Sequence, residues 1–193
     1  MSKIIKEIVN RRARRALSRE SVPADVLRRI LDAATNAPSC ANKQPWKFLI
    51  CNEAESLAKL RNMLTEGNYW AKKAPVLIAI FAEISADCMY DEGRNYALFD
   101  CGLAAENLML QATHENMIAH PMAGFNASGL KKEFNLPQEA IPIVMIALGY
   151  PGDDTDLSKN HKKQETAAQV RKQIAEVCFY NTLDAETPPA EIV

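Results

Sequence analysis

The chain has 193 residues, 48% hydrophobic and 24% charged, with a formal net charge of −1. This balance is typical of a soluble globular protein, and it gives no overall basic field that would attract nucleic acid or anionic membranes. Because no stretch has the roughly 20 apolar residues of a membrane helix, and the basic first turns lack the apolar run of a signal peptide, we expect a cytoplasmic protein. One domain over residues 1–181 and a C-terminal tail over residues 182–193 are expected.

In chain order, apolar periodicity predicts helices that alternate with buried strands. The expected helices span residues 3–13, 23–36, 53–64, 93–116 and 130–134, and the expected strands span residues 47–51, 74–82 and 142–148. The helix over 93–116 is apolar most of the way round, which indicates the core or a dimer interface. A charged loop over 153–163 and a weak helix over 165–178 follow. This order favours an α+β or α/β sandwich.

Four arginines lie within five residues, at Arg11, Arg12, Arg14 and Arg15, with Ala13 between them. The positive charges of such a run repel one another unless they are solvated or neutralised by an anion. Because a planar guanidinium matches phosphate oxygens, phosphate is the natural counter-ion. A solvated basic face is an open alternative. A nucleic-acid patch is less favoured, since no aromatic residues are interleaved with the arginines.

We call residues 37–46 the amide loop. Pro38 and Pro45 stiffen its two ends. Asn42 and Gln44 each carry hydrogen-bond donors and acceptors, and both point to one side if the backbone is extended. A rigid loop with two amides can hold a flat, polar-edged ligand such as a heteroaromatic ring. The alternative is an ordinary surface turn.

Residues 118–126 carry Pro121 inside an apolar run and Gly124 just after it. This pattern excludes a regular central strand and predicts a loop. The N–H groups of Ala123 and Gly124 could meet a ligand edge, because little side chain stands in the way. His120 is expected to be a packed, hydrogen-bonded residue in preference to one with a direct role.

The five cysteines are odd in number, widely spaced and without a CxxC pair. That usage argues against a disulfide framework and against a zinc site, so we expect reduced thiols. Cys40 lies in the amide loop, but no histidine near it in sequence could activate it as a nucleophile.

Taken together, the order and spacing of these motifs resemble the nitroreductase family of FMN-dependent oxidoreductases over residues 4–181. The matching motifs are the arginine run, Ala37-Pro38-Ser39, Asn42-x-Gln44-Pro45-Trp46, Asp100-x-Gly102, Glu106-Asn107-Leu108, residues 121–125 and residues 148–151. The resemblance implies a nitroreductase-like α+β fold with a mixed central sheet flanked by helices, assembled as an intertwined homodimer. It also implies FMN at the dimer interface, and hydride passing from NADH or NADPH through flavin N5 to a nitroaromatic, a quinone or a similar acceptor in a ping-pong mechanism.

The resemblance also implies roles for single residues. It places the phosphate at Arg11, Arg12, Ala13 and Arg171, and the pyrimidine edge of the flavin at Arg15 and Asn68. Ribityl and ring contacts fall to Asn42 and Gln44, with Pro38 and Ser39 from the other subunit. The loop facing flavin N5 and O4 consists of Pro121, Met122, Ala123 and Gly124. No protein nucleophile or general acid is required, and no metal is implied.

Two positions depart from the family pattern. Ala13 stands where a serine is usual, which removes one hydroxyl contact to phosphate, and Ala123 stands where many relatives carry an acidic residue. Substrate identity stays open for this reason. The alternatives are a reductase of enones, halogenated aromatics or free flavin, a flavin-binding protein without turnover, and a nucleic-acid binder that uses the arginine run.

Overall fold

The computed structural model describes residues 3–181 and 183. Its centre is a four-stranded antiparallel sheet with the strand order β1-β2-β4-β3. The strands are β1 (Lys47–Cys51), β2 (Val76–Glu83), β3 (Ile118–Met122) and β4 (Ala140–Gly149). β2 lies inside the sheet and is buried along almost its whole length, which explains its continuous apolar sequence.

In the described part of the chain, six α-helices surround the sheet. They are α1 (Lys6–Asn10), α2 (Ala24–Thr35), α3 (Ala54–Arg61), α4 (Tyr96–His114), α5 (Ala127–Glu133) and α6 (Lys159–Thr166). Short 3₁₀ segments lie at Cys40–Asn42, Glu66–Lys73, Ile84–Ala86, Asp91–Gly93 and Ile174–Glu176. In the part of the chain that is described, no helix is long and apolar enough to cross a membrane.

The sheet separates two apolar layers. Because successive side chains of a strand point to opposite faces, Ile78 of β2 joins the layer that contains α2 and α4, whereas Leu77 joins the layer that contains α3 and α5. Ile30 and Leu108 fill the first layer and have no exposed surface. Burying a side chain of this size contributes about 1.5–3 kcal/mol. The two layers hold the edges of the sheet rigidly in place.

The α+β class is confirmed, and three details differ from expectation. The described strands pair only antiparallel, so the mixed sheet is not found among them. Residues 118–122 form a strand, not a loop, and the strand lies at the sheet edge, where a proline is tolerated. The first helix is much shorter than residues 3–13, because Arg11 already has an extended backbone where the arginine run begins.

The C-terminal third also differs from expectation. The segment expected as a charged loop contains the start of α6, whose first turn is capped by the side chain of Ser158. The weak helix expected over 165–178 is reduced to the end of α6 and the 3₁₀ segment Ile174–Glu176. Apart from Leu183, the expected tail over 182–193 lies outside the described residues.

Candidate functional site

The arginine run lines an open cavity of about 250 Å³. The lining side chains come from two distant parts of the sequence, Arg11, Arg12, Ala13 and Arg14 on one side and Gln164, Gln169 and Arg171 on the other. The structure therefore brings together the four residues that were expected at a phosphate, including Arg171 from the C-terminal part. We call this the basic cavity.

Hydrogen bonds between side chains and backbone groups hold the two walls of the basic cavity together. The Gln169 side-chain amide donates to the carbonyl oxygen of Arg11 at 2.9 Å, and the Arg12 guanidinium donates to the carbonyl oxygen of Ala167. The carboxylate of Glu165, which is 8% exposed, accepts from the N–H of Arg15 at 2.7 Å. Two of these bonds use the backbone of the arginine segment and one uses the Arg12 guanidinium, so most of its guanidinium N–H groups stay available to other partners.

Positive charge in the basic cavity is only partly compensated. Among the described residues, the arginines that line it form one ion pair, between Arg11 Nε and a carboxylate oxygen of Glu106 at 3.7 Å. An exposed pair at this distance contributes little. The cavity therefore suits an anion with several oxygens, because guanidinium groups bind phosphate through parallel N–H donors.

Next to the cavity lies a second group of residues, Arg15, Asn68, Trp70, His120 and Gly124. We call it the β3 cluster, because His120 lies in β3 and Gly124 follows that strand, while Asn68 and Trp70 come from the 3₁₀ segment Glu66–Lys73. The Arg15 guanidinium lies 5.8 Å from the centre of the Trp70 ring, and the rings of Trp70 and His120 have their centres 4.4 Å apart. The Nδ1–H of His120 donates to the carbonyl oxygen of Arg14 at 3.0 Å. Burial lowers the pKa of His120 to about 4, so the ring is neutral near pH 7. His120 is thus the packed, hydrogen-bonded residue that the sequence predicted.

The other end of the β3 cluster is the turn after β3. The carbonyl oxygen of Gly124 accepts from the Asn68 side-chain amide at 2.8 Å and from the Thr65 hydroxyl at 2.9 Å. A Cβ atom at position 124 would lie only 2.6 Å from the Thr65 hydroxyl oxygen. Glycine is therefore required by this close approach. The contact also joins Asn68 to the loop of Pro121, Met122, Ala123 and Gly124, two parts of the expected site that sequence alone left apart.

The amide loop has a different construction. The side-chain amide of Gln44 donates to the side-chain oxygen of Asn42 at 3.1 Å, and the N–H of Gln44 donates to the Ser39 hydroxyl at 2.9 Å. The two amides thus meet, but not on an extended backbone, because Ala41, Asn42 and Gln44 all have positive φ. Asn42 and Gln44 are exposed, as is Pro38.

The amide loop is anchored through Cys40. The N–H of Cys40 donates to the carboxylate of Asp100 at 2.8 Å, and the Cys40 sulfur forms a disulfide with Cys88. The expectation that all thiols are reduced is wrong for this pair. Sequence spacing could not reveal it, because the fold alone brings the residues after β2 to the loop before β1.

The amide loop lies apart from the other expected site residues. In the described residues, no hydrogen bond, ion pair or ring contact joins the side chains of Pro38, Ser39, Asn42 or Gln44 to the basic cavity or the β3 cluster. The loop leads into β1 at one edge of the sheet, and the β3 cluster follows β3 at the opposite edge. Three strand spacings separate these edges, about 14 Å.

Sequence reasoning missed two residues that shape the site. Glu165 binds the arginine segment from within a charged stretch whose pattern did not mark it, and Trp70 packs between Arg15 and His120. Trp70 did carry a signal, as a large aromatic residue beside Asn68 in a short turn. Nothing local distinguished Glu165 from its charged neighbours.

Fold and cavity together define a class, an α+β protein with a cavity lined by arginines. The chain belongs to the nitroreductase family: the family model matches residues 8–68 and 52–150. The resemblance inferred from the motifs is confirmed by this match.

Relatives and solved structures agree with the family assignment. A protein of Methanothermobacter thermautotrophicus, whose name gives NADH dehydrogenase/NAD(P)H nitroreductase as a provisional activity, is 28% identical over 78% of this chain and 78% of its own. The iodotyrosine deiodinase of Haliscomenobacter hydrossis is 25% identical over 83% of this chain and 85% of its own. A solved structure described as an oxidoreductase containing FMN has 28% identity, a TM-score of 0.85 and coverage of 96% of both chains.

Proposed function

We propose that this protein is an FMN-dependent oxidoreductase that takes hydride from NADH or NADPH and reduces a small-molecule acceptor such as a nitroaromatic or a quinone. The basic cavity carries the proposal, because Arg11, Arg12 and Arg171 meet there around Ala13 with one carboxylate in an ion pair among the described residues. A phosphate monoester brings up to about two negative charges at neutral pH, which matches this excess. The backbone of Ala13 and the extra arginines take the place of the missing serine hydroxyl.

Residues of the β3 cluster suit the flavin ring. Arg15 supplies a cation for the pyrimidine edge, where negative charge develops on reduction. Asn68 keeps its side-chain oxygen as an acceptor while its amide holds Gly124. Pro121 and Met122 lead into the N–H groups of Ala123 and Gly124, which would face N5 and O4.

Bound FMN would supply the hydride-accepting chemistry, and the two substrates would use the same site in turn. The protein's own part is to bind, orient and stabilise charge. His120 holds the Arg14 carbonyl and is neutral near pH 7, so it acts as a positioning residue for the arginine segment. No side chain is assigned as nucleophile or general acid.

A homodimer would complete the site. Within one chain the amide loop is separated from the basic cavity, so Pro38, Ser39, Asn42 and Gln44 would serve the flavin bound mainly by the partner subunit. Exposed apolar side chains support such an interface: Phe99 of α4 is 60% exposed and Ile8 of α1 is 49% exposed. Surface patches of this kind commonly mark association. Sedimentation should show a dimer, and Phe99→Arg should weaken it; a wild-type monomer would contradict this arrangement. The cytoplasmic location, and the absence of nucleic-acid and membrane partners, remain predictions from composition.

The function has a direct test. Purified protein reconstituted with FMN should be yellow, release FMN on denaturation, and oxidise NADH or NADPH when a nitroaromatic or a quinone is added. A panel with an enone, an iodinated phenol and free flavin separates the alternative acceptors. Protein that binds FMN but oxidises no NAD(P)H with any acceptor would be a flavin-binding protein without turnover, and protein that cannot bind FMN would overturn the proposal.

The basic cavity can be tested separately. Arg11→Ala combined with Arg12→Ala should weaken FMN binding by at least 100-fold, because each lost charge-assisted hydrogen bond costs about 1.5–3 kcal/mol. Arg28→Ala is the control, since Arg28 is exposed on α2 and forms an ion pair with Asp32, away from the basic cavity. Fluorescence titration with FMN measures the affinity of the wild type, of the double variant and of the control. Equal affinities would reject the phosphate role.

A further inference from the structure

Two cysteines and two buried acids meet between the amide loop and the start of α4. The sulfur atoms of Cys40 and Cys88 and a carboxylate oxygen of Asp87 all lie within 4.8 Å of one another. Asp100 lies against the same group, because its carboxylate accepts the N–H of Cys40. The proposed flavin chemistry uses none of these side chains.

Asp87 is the unusual member of this group. Its side chain is 3% exposed, and one carboxylate oxygen accepts the N–H of Cys88 at 2.7 Å. The other oxygen is buried without an N–H donor, and the polar side chain that faces Asp87 is the carboxyl of Asp100. Buried polar atoms normally have partners, and leaving an acceptor unsatisfied is costly. The disulfide does not remedy this, because a disulfide sulfur has no proton to donate.

Two buried acids face each other at this place. Asp100 is 1% exposed, and its carboxyl lies beside that of Asp87. In the described residues, no lysine, arginine or histidine forms an ion pair with Asp87 or Asp100. A divalent cation between the two sulfur atoms and the carboxylate of Asp87 would supply positive charge at this place.

We propose that, in the dithiol state, Cys40, Cys88 and Asp87 bind a thiophilic divalent cation of the Zn²⁺ type. Thiolate and carboxylate ligands sit at about 2.3 Å and 2.0–2.2 Å from zinc, so tetrahedral ligand atoms are about 3.5 Å apart. Ligand atoms already within 4.8 Å need only small side-chain movements to reach this geometry. Water would complete the coordination.

Disulfide and metal site are alternative states of the same two sulfurs. Reduction adds two electrons and two protons, breaks the S–S bond and gives two thiols. Metal binding then breaks two S–H bonds, forms two metal–sulfur bonds and releases two protons. A phosphine or a dithiol serves as the reductant. In either state the amide loop stays attached to the segment between β2 and α4, by a covalent bond or by a metal.

The experiment uses the full-length protein, reduced with a phosphine that is then removed without oxygen. Zn²⁺ is titrated against a chelating dye, and Co²⁺ is added separately to look for thiolate charge-transfer absorption. We expect one tightly bound Zn²⁺ per chain in the reduced protein and none at that affinity in the disulfide form. Cys40→Ser, Cys88→Ser and Asp87→Asn should each weaken Zn²⁺ binding at least tenfold and diminish the Co²⁺ band.

Cys178→Ser is the matched control, because Cys178 is an exposed free thiol outside the group, and it should bind Zn²⁺ like the wild type. If a serine variant does not fold, alkylation of the two thiols in the reduced, folded wild type replaces it and should abolish binding. Zn²⁺ binding that is absent from the reduced wild type, or unchanged in the Cys40 and Cys88 variants, overturns the proposal. FMN content measured on the same samples keeps this result separate from the flavin function.

Discussion

The β3 cluster and the amide loop, both assigned to the flavin by the proposed function, are built in opposite ways. In the β3 cluster, Trp70 and His120 are buried, and hydrogen bonds to backbone carbonyls fix the side chains of His120 and Asn68. In the amide loop, Asn42 and Gln44 are exposed and hydrogen-bond to each other. Packing positions the first region, whereas local backbone geometry and an anchor at Cys40 position the second.

This difference separates two ways of preparing a binding surface. A buried cluster is rigid because moving one ring requires its neighbours to move. A loop without a core must hold its shape through strained residues, short hydrogen bonds and cross-links. Its outer face stays available to another molecule, which suits a surface offered to a partner subunit. We therefore expect substitutions in the β3 cluster and in the amide loop to change the free energy of unfolding by different amounts and for different reasons.

The largest effect should come from the pH dependence of the β3 cluster. The pKa of His120 is about 4 in the fold, against the usual 6.5. Between these values the unfolded chain binds a proton that the folded chain does not. His120 therefore stabilises the fold fully above about pH 6.5, and this stabilisation, on the order of 3 kcal/mol, is lost as the pH falls to about 4.

Urea unfolding of the wild type and of His120→Gln, measured over this pH range, tests the assignment. The variant should lose stability near pH 7, but its free energy of unfolding should fall less steeply towards pH 4. His114→Gln is the control, because His114 is exposed at the end of α4. Parallel pH profiles for the wild type and His120→Gln would show that His120 titrates normally.

An intermediate effect is expected at the turn of the β3 cluster. In Gly124→Ala the new Cβ would lie 2.6 Å from the Thr65 hydroxyl oxygen and 2.9 Å from the Asn68 amide nitrogen. Both side chains would have to move, and the two hydrogen bonds to the Gly124 carbonyl would weaken. We expect a loss of about 1–3 kcal/mol in the free energy of unfolding, together with weaker FMN binding.

Gly67→Ala is the matched control for this substitution. A Cβ at position 67 meets no atom within 4 Å, so its effect on unfolding and on FMN binding should be small. If Gly124→Ala were as mild as Gly67→Ala in urea unfolding, the close approach would not constrain the turn.

Much of the β3 cluster and of the basic cavity was predictable, because neighbouring residues in the sequence determine their chemistry. The arginine run predicts a bound anion, and Gly124 after Pro121 predicts a close approach of the backbone. The sequence did not predict which distant residues would contact each of these motifs. Glu165 and Arg171 meet the arginine segment only because the chain after β4 returns to it.

The amide loop shows the opposite balance. Its stiffness and its two amides were predictable from Pro38, Asn42 and Gln44. Its backbone was not, because the extended conformation considered for residues 42–44 does not occur where Asn42 and Gln44 have positive φ. The disulfide to Cys88 was also invisible, since cysteine spacing carries no information about two loops that the sheet brings together. The backbone conformation of the amide loop and its disulfide thus depend on contacts between distant parts of the chain, which local sequence patterns do not predict.

The smallest effect should have the opposite sign, and it lies in the amide loop. Ala41 is exposed and has φ 49° and ψ 27°, a left-handed conformation that costs a residue with a Cβ roughly 1–2 kcal/mol. Ala41→Gly removes this strain but adds freedom to the unfolded chain, which costs about 0.5–1 kcal/mol. We therefore expect a net gain of up to about 1 kcal/mol in urea unfolding.

Ala58→Gly provides the contrast, because Ala58 is equally exposed but lies inside α3. There the same change of side chain should lose about 1 kcal/mol, as glycine does in a helix interior. Both variants keep the disulfide, so the difference between them reports backbone strain alone. A loss at Ala41 equal to that at Ala58 would mean that the loop stores no strain, and its shape would then depend on the Asp100 hydrogen bond and the Cys40–Cys88 link.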